Sequence, residues 1–184
     1  MKHPEVDAFK SENPRAPFYQ QALQDSARFK EAYKKRKKHI KKEEMPWEES
    51  PQGLIKHVTN IHMDTAECAI ETYIQLIPSG SRSGKHRHMA EEVFYVIEGH
   101  GYDLHWDVEF EVTDKYYWDW KKEPQKFEWE KGDFVYIPPY TMHQHFNADD
   151  EKPAQIYSST NRIVKEIGYN WLEQVENAPE YKGK

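Results

Sequence analysis

The hydrophobic period of the chain changes once. Residues 18–44 contain no proline or glycine, and Phe18, Ala22, Phe29, Tyr33 and Ile40 recur at three- and four-residue steps or their multiples. That spacing gathers them on one side of a helix. It predicts an amphipathic helix over 18–46, very basic towards its end, closed by the prolines and glycine of "MPWEESPQG". The polar, proline-containing residues 1–17 read as an extended arm. From residue 54 the period falls to two. In "TAECAIETYIQLIP", residues 65–78, Ala66, Cys68, Ile70, Ile74 and Leu76 share one parity, and Glu67, Glu71 and Gln75 share the other. This predicts a strand with the first set buried.

Further short runs follow: "EVFYVIEG", "GYDLHWDV", "QKFEWEKG", "DFVYIPP", "HQHFNA" and "AQIYSST". They are rich in Val, Ile, Phe, Tyr and Trp, and are punctuated by Gly, Pro and Asp. Many short strands without alternating helices predict an all-β sandwich or barrel over 54–160. Residues 161–184 read as a short helix near 169–177 followed by a tail.

Composition adds three points. Aromatic residues make up 14% of the 184 residues, with 6 Trp and 12 Tyr, which excludes a disordered chain. The single cysteine, Cys68, excludes an intrachain disulfide and reads as a small buried residue. The formal charge is −6, yet seven of the nine residues in "KKRKKHIKK", 34–42, are Lys or Arg. No nucleic-acid-binding signature accompanies this run, so it reads as a solvated face or a contact with an acidic surface of the same protein. No apolar run approaches the roughly 20 residues that span a bilayer, and no secretory h-region opens the chain. A cytoplasmic protein with no membrane or nucleic-acid partner is the expectation.

The chemistry concentrates in "GSRSGKHRHMAEEVFYVIEG", residues 80–99. His86 and His88 are two apart, so on a strand both imidazoles leave the same face. Glu92 can join them from the next strand. In "IPPYTMHQHFN", His143 and His145 repeat the spacing. Imidazoles with a carboxylate suit Fe, Mn, Ni, Zn or Cu. His145 shares parity with His143, which makes it a candidate acid or base in the cavity or a hydrogen-bonded rim residue. Tyr95 and Tyr136 are candidate pocket hydroxyls. Arg82 and Lys85 flank the first cluster, where one could hold a substrate carboxylate. Strand parity sends Arg87 outward. His57, His62, His100 and His105 have no partner at ligand spacing and read as structural.

The complete spacing carries more than the pairs do. Gly80, five residues, His86, one, His88, three, Glu92, six, Gly99 is followed by Gly132, five residues, Pro138, one, Tyr140, two, His143, three, Asn147. The chain therefore resembles the cupin superfamily over roughly 54–160, departing from its pattern where Tyr140 replaces a glycine. The resemblance implies an antiparallel jelly-roll β-barrel with one divalent metal held by His86, His88, Glu92 and His143, and with positions left open for a small-molecule substrate. Locally the chain looks most like single-domain cupins of the gentisate dioxygenase type, although those commonly lack the carboxylate. The resemblance implies an iron(II)-dependent dioxygenase of a small hydroxylated aromatic or organic acid, acting in a dry pocket lined by the aromatic residues between the motifs. The alternatives are a redox-neutral isomerase, lyase or decarboxylase using Mn, Zn or Ni, and a small-molecule-binding cupin without catalysis. A homodimer is expected, since cupins often pair.

Overall fold

The computed structural model describes residues 16–65, 69–169 and 171–183. Its chain divides after Arg36 into two units. The first contains helix α1, Phe18–Lys35, with Lys34 and Lys35 in its last turn. The helix stops eleven residues short of the predicted end because Arg36 is already extended. Like charges three and four residues apart oppose further turns through the basic run. Lys37 instead pairs with Glu44 at 2.9 Å, and Glu44 closes a short 3-10 turn by accepting from the Lys41 amide.

The second unit is a pair of antiparallel sheets. One contains β1 (Trp47–Ser50), β2 (Gly53–Thr59), β3 (Ile70–Ile77), β12 (Ala154–Asn161), β5 (Glu92–Glu98) and β10 (Phe134–Ile137), in that order. The other orders β13 (Leu172–Glu176), β4 (Lys85–His88), β11 (Met142–Asn147), β6 (His100–Trp106) and β9 (Gln125–Glu130). A separate two-stranded ribbon joins β7 (Val108–Val112) to β8 (Tyr116–Trp120). This is the jelly-roll arrangement, two antiparallel sheets enclosing one interior. Phe94, Val96, Trp129, Ile137, Ala154 and Ile156 form its apolar core, the larger of them contributing about 1.5–3 kcal/mol each through burial. Gly99 is required where β5 turns into β6: its φ is +95°, and a Cβ there would stand 2.8 Å from that of Ala154.

Three further elements differ from the pattern read along the chain. The strands begin at Trp47, because Pro51 and Gln52 are the turn of a β1–β2 hairpin and do not end an element. The C-terminal helix is the single turn α2, Ile163–Glu166, while the segment expected to be helical supplies β13, paired to β4. Finally, β3 has its faces reversed. Tyr73, Gln75 and Ile77 are buried, Ile74 and Leu76 are only half-buried, and Ile70 is exposed. The barrel interior is polar at this end, so the inward parity carries the polar residues. Cys68 and Ala66 lie outside the described residues.

Candidate metal centre

Period-two alternation aims each site residue inward. His86 and His88 on β4, Glu92 on β5, and His143 and His145 on β11 are all buried. In register, β11 lies between β4 and β6, which sets His143 beside both His86 and His105. One ligand atom from each of His86, His88, Glu92 and His143 lies within 4.8 Å of the others. The imidazole centroids are 4.3 Å apart for His86 and His143, 5.4 Å for His86 and His88, and 5.1 Å for His88 and His143.

Hydrogen bonds set which ring nitrogens of His88 and His143 face this space. His88 Nδ1 donates to the Ala90 carbonyl at 2.7 Å, turning Nε2 towards Glu92 Oε2, 2.9 Å away. His143 Nδ1 donates to the Thr141 carbonyl at 2.9 Å, leaving Nε2 buried without a partner. His86 Nδ1 is likewise buried and unpartnered. Buried polar atoms without partners are costly unless something satisfies them. A divalent transition ion fits this need, since three imidazoles and a carboxylate are its usual donors. The chain thus carries a His3–Glu cluster suited to one divalent metal.

Electrostatics keep His86, Glu92 and His143 in their ligating forms. Burial, reinforced by the neighbouring His88, pushes His86 down to about 3. Burial and the adjacent imidazoles hold His143 well below the ordinary histidine value. Burial opposes ionisation of Glu92, yet the His88 hydrogen bond and the nearby histidines hold it well below the usual carboxylate range. These shifts set the sign of a pH effect in metal-free protein. Unfolded His86 takes up a proton below its ordinary 6.5, but folded His86 only near 3. Falling pH therefore favours the unfolded state across that window, by up to about 1.4 kcal/mol per pH unit for each such histidine. Chelated protein should show a lower urea midpoint at pH 5 than at pH 7, and an unchanged midpoint would contradict it. His145, shifted upward, offsets part of this loss because its stabilisation is complete below 6.5.

A second polar cluster lies beside the first. Asp103 accepts from His145 Nδ1 at 2.9 Å, from Trp129 Nε1 at 2.9 Å and from His105 Nε2 at 3.3 Å. Burial works against its charge, but the adjacent His145 and the His105 hydrogen bond hold its carboxyl low. Burial disfavours a charged His145, and Asp103 more than restores it, raising its pKa above the ordinary value. His145 Nε2 is buried and unpartnered. His105, expected to be merely structural, belongs to this cluster. Its spacing from Asp103 on β6 repeats the i, i+2 rule that exposed the other histidines, and that was the available signal.

Other candidates fall outside the interior. Tyr95 and Tyr136 correct the sequence expectation. Each lies off the inward parity of its strand; Tyr95 packs on Phe134 at 4.9 Å, and Tyr136 is half exposed and donates to Glu91 at 2.8 Å. Arg87 lies outside as expected, donating to Glu173 of β13 and stacking 3.5 Å over Trp120. Lys85 sits 4.0 Å over Trp106 and 3.5 Å from Glu176, and Arg82 is exposed. The aromatic segment between the motifs also departs from expectation. Phe110, Tyr116 and Trp118 of the ribbon line a cavity of about 700 Å³ with Met89, Tyr140 and Trp171, and none of the four clustered donors lines it. Tyr140 adopts the left-handed φ of +68° that the missing glycine would have taken. Its amide bond to the His88 carbonyl at 2.8 Å and its packing on Trp118, Trp120 and Trp171 hold it there.

A jelly roll with inward-facing His86, His88, Glu92 and His143 defines a metal-binding cupin. Within that class the chain belongs to the auxin-binding protein family, whose model matches residues 38–172. It is 29% identical over 87 residues to auxin-binding protein T85 of Nicotiana tabacum, covering 47% of this chain and 43% of that protein. The matching region spans less than half the length of the curated relatives. Among solved structures, it is similar to an oxalate decarboxylase of Lactobacillus farciminis in complex with formate. The TM-score is 0.54 at 18% identity, over 72% of this chain and 34% of that one. It is also similar to salicylate 1,2-dioxygenase of Pseudoaminobacter salicylatoxidans with gentisate. There the TM-score is 0.53 at 13% identity, over 88% of this chain and 36% of that one. At these identities the structural likeness concerns the fold. No described helix is long and apolar enough to cross a membrane.

Proposed function

We propose that the protein binds one divalent transition metal, iron(II) for preference, through His86, His88, Glu92 and His143, and acts as a dioxygenase of a small hydroxylated aromatic or organic acid. The observation that carries this reading is the wholly buried donor set with unpartnered nitrogens on His86 and His143. When bound, the ion would supply Lewis acidity and, as iron(II), reactivity towards oxygen. A single carboxylate does not neutralise a divalent ion, so the donor set favours an acid as the incoming ligand. Asp103 fixes the His145 ring through Nδ1, which leaves Nε2 as the atom able to give or take a proton from that ligand. The surrounding barrel walls exclude water and strengthen these interactions.

A second reading is binding without turnover, and the family assignment favours it, since the tobacco relative is named as an auxin-binding protein. One experiment separates the two. Protein loaded with iron(II) is screened in an oxygen electrode against phenolic and small organic acids, with calorimetry on the same panel. Oxygen consumption with one acid class is the expected result. Tight binding of an acid without oxygen uptake would establish the binding reading instead. Anaerobic turnover with manganese or zinc would point to a lyase or decarboxylase.

A further inference from the structure

The two oxygens of Glu92 have different partners. Oε2 faces His88 Nε2 at 2.9 Å, among the clustered donors. Oε1 receives two hydroxyl groups instead. Tyr73 Oη on β3 donates to it at 3.3 Å, and Ser158 Oγ on β12 donates to it as well. The register explains why they meet. Ser158 pairs directly with Tyr73 on one side and with Phe94 on the other, and Glu92 is the inward-facing residue preceding Phe94 on β5. The direction of the Tyr73 bond is also determined. Gln52 Nε2 can only donate, and it does so to Tyr73 Oη at 3.0 Å, which turns the phenol proton towards Glu92. All three of Tyr73, Ser158 and Glu92 are buried, so water does not replace these bonds.

We infer that Tyr73 and Ser158 are positioning residues that make Glu92 a one-oxygen ligand. Two hydroxyl donors occupy the lone pairs of Oε1 and prevent the carboxylate from turning both oxygens to the ion. This leaves the ion one more position for an incoming acid, oxygen or water than a two-oxygen Glu92 would leave. The inference rests on the metal reading above and adds to it the number of positions available to ligands.

Manganese(II) is the probe, because bound water that exchanges with solvent is counted directly by proton relaxivity. Wild type, Ser158→Ala, Tyr73→Phe and the double variant are loaded with manganese, with circular dichroism as the folding control. In the double variant the freed Oε1 takes a position that water held, so one exchangeable water is lost. Manganese affinity falls by about 10–100-fold, as for other groups that orient a metal ligand. An unchanged water count in a folded double variant overturns the inference. Should that variant not fold, Ser158→Ala and Tyr73→Phe carry the test singly, each opening one lone pair of Oε1, and an unchanged water count in both overturns the inference. Wild-type protein that takes up no manganese overturns the metal reading itself, and this inference with it, whereas wild-type uptake with unaltered variants overturns the inference alone.

Discussion

Replacing His143 by alanine is expected to abolish stoichiometric metal binding. His143 is fully buried, and its Nε2 has no other partner in the described structure. Loss of a direct donor should weaken binding by on the order of 100-fold or more, since residues that merely orient ligands already cost 10–100-fold. The consequence for stability follows by mass action. An ion at 100 times its dissociation constant stabilises the fold by about 2.7 kcal/mol, so wild-type protein should melt higher with metal than with chelator. The His143→Ala variant should melt alike in both. His57, bound to Glu48 at 2.6 Å and absent from the cluster, provides the control, and His57→Ala should keep the metal-dependent shift. Elemental analysis and paired thermal melts check both statements. Retained metal in His143→Ala would remove it from the donor set.

Removing the Asp103 carboxylate should cost more folding stability than any surface charge. Asp103→Ala deprives His145, His105 and Trp129 of their common acceptor inside the barrel. Breaking a buried charged pair from one side typically costs about 3–5 kcal/mol, because the remaining groups stay buried and unpaired. The exposed pair of Lys131 and Glu98, at 2.7 Å, offers the contrast; Glu98→Gln should cost far less, because water screens exposed ion pairs. Urea unfolding at pH 7 measures both. Equal losses for the two variants would mean that the Asp103 cluster is not the buried network its geometry describes.

Both predictions depend on residues of unequal visibility in the sequence. The donors were visible because the HxH spacing sets two side chains on one face of a strand whatever the rest of the fold does. Glu92 and His143 followed from spacing that matched a known pattern over two motifs. The Asp103–His105–His145 cluster was not visible as a unit, because it is assembled across β6 and β11 by sheet register, and register depends on distant pairing. Alternation along β3 gives the wrong faces for a related reason. Hydrophobic alternation assumes an apolar interior, but here the buried face holds Gln75 and sets Tyr73 against a buried carboxylate. Tyr95 and Tyr136 qualify by residue type, and only their parity on β5 and β10 sets them apart from the interior.

Local chemistry is legible in the chain alone: short alternating strands, an amphipathic helix starting at Phe18 though not its end, a pair of HxH segments, and glycines such as Gly99 where the backbone must turn with positive φ. These are properties of neighbours along the chain, governed by the two-residue period of a strand and the conformational freedom of glycine. The tertiary structure decided which strands lie side by side. That choice made β13 a strand against β4, closed the aromatic ribbon over an outer cavity, and brought Tyr73 and Ser158 to one oxygen of Glu92. Each requires residues far apart in sequence to share a few ångströms, and hydrophobic periodicity carries no information about which strand a given strand will meet.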